Sequence, residues 1–243
     1  ADAVLAARCH QLGVRASREG VDFGVIDRTP AVGGQVLRLQ TAGGPVDDLL
    51  LPLFGAHMAA NAALAVAAVE AFLGGKPVPP DVLTEALASV VAPARLEVVR
   101  RSPVVLLDTC HNPHGARAAT AALDETCDFT TLLRAVAIMA DKDVEGVLGV
   151  FEQSMTSVVC TQAASTNRGV PAAELGELAA GIFGDDRVDV RASVPDALER
   201  AVALADEAGP GAGVLVPGSV IAAGEARPRL VRPGRGDHHA AHQ

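Results

Sequence analysis

The run Asp108-Thr109-Cys110-His111-Asn112-Pro113-His114-Gly115 gathers a carboxylate, a thiol, two imidazoles and an amide in one short stretch. Asn followed by Pro fits a helix N-cap and first helical position. A helix starting there aims free backbone N–H groups, and the positive end of its dipole, back at Asp108 and His111. That arrangement suits a carboxylate or a phosphate. His111 can add a donor, and Asp108 can take a hydroxyl pair such as a ribose. A purely structural role is the alternative, because strand-Asp-loop-helix units are common and a fold does not dictate function.

Other polar groups end apolar runs in the same way. AIMA stops at Asp141-Lys142-Asp143, SVVC at Thr161, and GVLV at Pro217-Gly218-Ser219. One polar strand end is ordinary, since loops are polar. Four such ends on one rim point to a site, because ligands of open α/β sheets bind beyond the carboxyl ends of the strands.

The elements that must build this rim alternate regularly. RLEVVR, VVLLD, LLRAVAIM, SVVCT, RVDV and GVLVPGS read as strands; residues 113–126, 143–153, 171–183 and 195–208 read as helices. This alternation predicts a parallel or mostly parallel sheet covered on both faces. The unbroken runs VVLL and GVLV fit strands buried on both sides.

Upstream, residues 3–12 read as a helix closed by Gly13, and residues 21–27 and 35–40 as the strands of a hairpin, followed by a loop containing Gly43, Gly44 and Pro45. Residues 57–73 form a helix apolar on nearly every face, which predicts burial. Pro79-Pro80-Asp81 opens another helix reaching about Val90. The change of texture places a domain boundary near residue 92. From Pro228 onward the chain is polar and rich in Pro and Gly, and reads as a disordered tail carrying His238, His239 and His242.

Composition narrows the function classes. The formal net charge is −9, and aromatic residues make up 2% with no Trp or Tyr, so neither a nucleic acid nor an anionic membrane is an expected partner. Four widely spaced cysteines form neither a zinc signature nor a disulfide framework. With no basic leader and no long apolar run, the expectation is a reduced, soluble, cytoplasmic protein.

The order LPLFGAHMAANAALAVAAVEAF, PARLEVV, DTCHNPHG, MADKDV and GSVIAAGEAR resembles the folylpolyglutamate synthase/dihydrofolate synthase family of the Mur ligase superfamily. The form is closest to actinobacterial-type sequences, and the likeness runs over roughly residues 3–227. The resemblance implies a Rossmann-like C-terminal ligase domain at 93–227, preceded at 1–92 by the end of an α/β ATP-binding domain, with the tail at 228–243. It also implies an enzyme that cleaves ATP, with Mg²⁺, to join L-glutamate to a folate through an acyl phosphate.

Carried over residue by residue, Asn61 matches a nucleotide-contacting position, with His57 one turn earlier on the same helical face. Arg95 matches the arginine that reaches the ATP phosphates, and Asp108 the acidic residue at the nucleotide. His111 and Ser219 match glutamate-binding positions, and Lys142 lies on the same rim. The structural alternatives are that Asn61 caps or bridges helices, Arg95 forms an ordinary ion pair, Ser219 caps the next helix, and Lys142 is merely solvated.

Some positions depart from the pattern: Met58, Ala94, Thr109-Cys110 and Pro217. Pro217 removes a backbone donor beside Ser219. No G-x-x-x-x-G-K-[ST] loop is present, since Gly75-Lys76 runs into Pro77. The chain therefore reads as a fragment, inactive alone, whose metal ligands and phosphate loop belong to an absent half. The rival readings are a Mur-type peptide ligase portion and a non-catalytic α/β binding module or decayed paralogue.

Overall fold

The computed structural model describes residues 2–231. The chain divides into two compact units, Ala1–Val91 and Ala92–Gln243.

The first unit begins with α1 (Asp2–Leu12), none of whose residues is buried. Gly13, at φ 65°, ends it. Three strands, β1 (Gly24–Ala31), β2 (Gly34–Thr41) and β3 (Gly44–Leu51), form an antiparallel meander in sequence order. The first two are the expected hairpin, although β1 starts and ends later than residues 21–27. The third replaces the expected loop. Its sequence GPVDDLLL hides the strand behind a Gly, a Pro and two acids, and a register shift opposite Leu37 and Leu39 lets Asp48 sit at φ 57° while Leu49 and Leu51 reach the core. Gln35, also buried, donates to the carbonyls of Leu53 (2.8 Å) and Gly55 (3.1 Å) and so fixes the entry to the next helix.

That helix, α2 (Ala56–Phe72), departs from expectation. It buries one stripe, Met58, Ala59, Ala62, Ala63, Val66 and Glu70, and leaves Leu64 and Phe72 exposed. An all-apolar helix has no polar face to show which side is covered, so its sequence overstates its burial. Buried Glu70 accepts from the Ala42 and Val78 N–H groups, tying two turns to the helix. A short helix, α3 (Pro80–Ala88), completes the unit.

The second unit is a six-stranded sheet made of β4 (Arg95–Arg101), β5 (Val104–Asp108), β6 (Thr131–Val136), β7 (Ser157–Cys160), β8 (Val188–Val190) and β9 (Ala212–Val216). Its spatial order is β4-β5-β9-β6-β7-β8, parallel throughout except for β4. The helices are α4 (Pro113–Thr126), α5 (Val144–Glu152), α6 (Ala172–Phe183), α7 (Val194–Ala208) and α8 (Val220–Leu230).

Alternation along the strands assigns the faces. Val105, Leu107, Leu133, Ala135, Val159, Val214 and Val216 pack with Ala197, Ala201 and Ala205 of α7 and with Ala222, Ala223 and Ala226 of α8. The alternate residues turn to the opposite face, where Arg134 lies over Phe151 of α5 and Cys160 bonds Leu175 of α6. Alanine-rich helix faces allow close approach to the sheet, so this core needs few aromatics.

α8 was foreseen only as the helix that Ser219 could cap, without bounds. It runs through Pro228 to Leu230, three residues into the segment read as tail. The rest of that segment, with its three histidines, lies outside the described residues. Among the described residues no helix is long and apolar enough to cross a membrane, and all four cysteines are free.

Candidate functional site

Because β5, β9, β6 and β7 are adjacent and parallel, their carboxyl ends share one edge. The chain leaves β5 for α4 on one face and leaves β9 for α8 on the other. Neighbouring strands whose connections part in this way open a crevice between them, the usual ligand position in such sheets.

Both helices start at that crevice with capped N-termini. The Asn112 side chain accepts from Gly115 N–H at 2.8 Å. Ser219 Oγ accepts from Ile221 N–H at 3.1 Å and keeps its own hydrogen for donation. The capping role open for Ser219 is therefore real, and it leaves a donor. His111 is half-buried, with Nδ1 at 3.1 Å from the Thr109 carbonyl. A carbonyl can only accept, so Nδ1 carries the proton and Nε2 is left for another partner.

Asp108 is the centre of the rim's scaffolding. One carboxylate oxygen accepts from Leu96 N–H at 3.0 Å, the other from Cys110 N–H at 2.7 Å, and the residue is only 4% exposed. The sequence reading made it a ligand contact; the structure also gives it the work of joining β4 to the loop before α4. The Cys110 thiol is raised well above its ordinary 9.0 by burial, then by the neighbouring Asp108 carboxylate. It stays protonated and is no nucleophile.

Arg95 is the cross-strand partner of Asp108. Its side chain is exposed and has no ion pair among the described residues. Residues on either side of it, Ala94 and Leu96, are held at φ 54° and 49°. Left-handed backbone costs a residue with a Cβ about 1–2 kcal/mol, so the display of Arg95 is held against strain.

Lys142 is not free: its ammonium lies 3.1 Å from Asp141, which Arg168 also approaches at 3.4 Å. The hydrogen bond from Lys142 holds the Asp141 carboxyl below its ordinary value. Asn61 and His57 belong to α2 in the first unit. Asn61 is exposed, its amide 3.7 Å from Met58 Sδ, and His57 is half-buried one turn before it. The rim thus gathers Arg95, Asp108, His111, Lys142 and Ser219.

Sequence reasoning named Gly218 only as part of a strand end, and missed the work of Glu225 and Glu97. Gly218, at φ 106°, passes so close to β6 that a Cβ would sit 2.6 Å from the Ala137 carbonyl. Glu225 on α8 accepts from Ala164 N–H (3.1 Å), Ser165 N–H (2.8 Å) and Ser165 Oγ (2.5 Å), pinning the loop after β7. Glu97 takes a forked ion pair from Arg227. Glu97 and Glu225 lie inside quoted motifs, PARLEVV and GSVIAAGEAR, and that was their only signal. No described group of three or more His, Cys, Asp or Glu side chains could hold a metal ion, so magnesium is assigned to no residue of this chain.

Residues 94–220, which hold the whole rim, match the family model of the Mur ligase glutamate ligase domain. The chain belongs to the Mur ligase family. Within it, this chain is 38% identical over 237 residues to the dihydrofolate synthase/folylpolyglutamate synthase of Mycobacterium tuberculosis, covering 92% of this chain and 48% of that protein. The folylpolyglutamate synthase of Lacticaseibacillus casei is 28% identical over 203 residues, 81% of this chain and 47% of that one. Among solved structures, M. tuberculosis folylpolyglutamate synthase complexed with ADP and AMPPCP superposes with a TM-score of 0.90 at 39% identity, over 94% of this chain and 52% of that one. Escherichia coli FolC in complex with DHPP and ADP gives 0.78 at 25% identity, over 94% and 50%. This Mur ligase chain spans about half the length of each of these four relatives.

Proposed function

We propose that this chain is the glutamate-binding portion, with part of the nucleotide site, of an ATP-dependent ligase that joins L-glutamate to a folate. One observation carries the reading: α4 and α8 leave opposite faces of adjacent strands, so two capped helix N-termini meet at one crevice beside His111 and Ser219. Such termini favour anions, and glutamate carries two carboxylates. The Ser219 hydroxyl donates to a carboxylate, and His111 Nε2, an acceptor when Nδ1 carries the hydrogen, takes an N–H of the glutamate amine. Lys142, already neutralised in part by Asp141, adds positive charge to the same rim.

Arg95, exposed and without an ion pair among the described residues, reaches the ATP phosphates with its forked donors. Asp108 stands beside it as the acceptor for a ribose hydroxyl. In the first unit, Asn61, with His57 near it on α2, is a nucleotide-contacting residue in this reading. Solved relatives complexed with ADP and AMPPCP support the nucleotide assignment, and one complexed with DHPP supports a pterin-type acceptor.

In this scheme the acceptor carboxylate attacks the terminal phosphorus of ATP, forming an acyl phosphate and releasing ADP. The glutamate nitrogen lone pair then attacks the acyl carbon, and the carbonyl electrons move onto oxygen. Collapse of that tetrahedral centre expels phosphate, and the nitrogen loses a proton to give the amide. Arg95 lowers the barrier by facing charge that develops on the phosphoryl oxygens. Holding the amine in line contributes as well.

The test joins this chain to the half its relatives carry and follows ADP release. Release that needs both glutamate and a dihydropteroate or tetrahydrofolate acceptor is expected. Release only with a UDP-muramyl peptide would make it a peptide ligase, and no release with any acceptor would favour a binding module.

A further inference from the structure

We propose that Glu97, gripped by Arg227, is a positioning residue for Arg95. This rests on the reading that Arg95 acts on nucleotide phosphates. The observation is the backbone on either side of that arginine. Ala94 and Leu96 both sit at positive φ, and the β4–β5 register slips between Arg95 and Glu97. Neither residue is a glycine, so something must hold the bulge.

Two carboxylates do so. Glu97 Oε2 accepts from Ala94 N–H at 2.9 Å, and Asp108 accepts from Leu96 N–H at 3.0 Å. The Ala94 carbonyl in turn accepts from Thr109 N–H at 3.0 Å. Arg95 is therefore clamped on both sides while its own side chain stays exposed.

Glu97 is itself fixed from across the sheet. Arg227 of α8 donates through Nε to both Glu97 oxygens at 3.1 and 3.2 Å, and through Nη2 to one of them at 3.0 Å. A forked pair of this kind sets an orientation as well as a charge. Ser219 caps the same helix at its other end. One element thus carries a glutamate-site residue at its start and the anchor of the nucleotide-site arginine near its end, which couples the geometry of the two halves of the crevice.

The test measures ATP and glutamate KM and kcat in the completed ligase carrying Glu97→Ala, Glu97→Gln, Arg227→Met or Arg95→Ala, with amide hydrogen exchange at Ala94 and Leu96. A misplacement of about 1 Å can cost about 10²-fold, and a smaller one on the order of 10-fold. Glu97→Ala is expected to raise the ATP KM by about that factor, to speed Ala94 exchange, and to change glutamate KM little. Gln, whose carbonyl can still accept from Ala94 N–H, is expected to restore part of the loss. Adding Glu97→Ala to Arg95→Ala should raise the ATP KM no further. Unchanged ATP KM in Glu97→Ala despite faster exchange, or a full additional loss on top of Arg95→Ala, overturns the positioning role. Unchanged ATP KM in Arg95→Ala overturns the phosphate reading instead, and exchange at Ala94 then reports the clamp separately.

Discussion

Asp108 and Leu96 are joined by a buried hydrogen bond of 3.0 Å that runs from a strained backbone amide to a carboxylate. The other oxygen of the same carboxylate holds Cys110 N–H. Removing it leaves two N–H groups without partners in a site from which water is nearly excluded. Each unsatisfied buried group costs about 1–3 kcal/mol. Asp108→Ala is therefore expected to lower unfolding free energy by about 2–6 kcal/mol in urea titrations. Loss of nucleotide affinity with no loss of stability would show that Asp108 is a ligand only.

Gly218 meets two demands that no other residue satisfies. Its φ is 106°, and a Cβ would lie 2.6 Å from the backbone oxygen of Ala137. Neither β6 nor the turn can yield, because Ser219 must start α8 at once. Gly218→Ala is expected to destabilise by about 1–3 kcal/mol from strain alone, with glutamate KM rising more than ATP KM. Thermal unfolding and steady-state kinetics measure the two effects. A substitution tolerated in both would mean that the β9 turn has room to move.

Glu225 gives a pH dependence. Burial pushes its carboxyl up, but the Ser165 hydroxyl and the Ser165 and Ala164 N–H groups outweigh it and hold the value below the ordinary 4.5. A carboxyl depressed in the folded state contributes stability that is present in full above its unfolded value. That contribution fades as pH falls through the folded value. Wild type should exceed Glu225→Gln by about 1 kcal/mol near neutrality, a modest figure because the group is partly solvated. The gap should narrow as pH falls below the ordinary 4.5 and on through the depressed folded value. A gap that does not change with pH would mean that the loop after β7 is held by other contacts.

Sequence alone made the second unit's elements legible because strands buried on both faces are unbroken apolar runs. α4 was visible to its ends, since Asn112-Pro113 marks its start. The insertion of β9 between β5 and β6 was not legible; strand order is set by which helices share a face, and no short segment records that. β3 was hidden by its charges, and the extent of α8 by Gly224 and Pro228, which disfavour helix. The rim residues with chemical side chains were found because they end strands. Their supports were not found, since Glu97 and Glu225 look like ordinary surface acids until the fold brings Arg227 and Ser165 to them. Arg134 is another such case. Read as part of an apolar strand, it is wholly buried over Phe151 and bonded to Ser154, and burial brings its value down to about 10.

The central claim is that one crevice holds glutamate on the His111 and Ser219 side and nucleotide phosphates on the Arg95 side. Steady-state KM values for both substrates, measured in the completed ligase, test it most directly. His111→Ala is expected to raise glutamate KM by about 10-fold or more while ATP KM stays near wild type, and Arg95→Ala to do the reverse. If both substitutions leave both constants unchanged, the rim is not where these substrates bind.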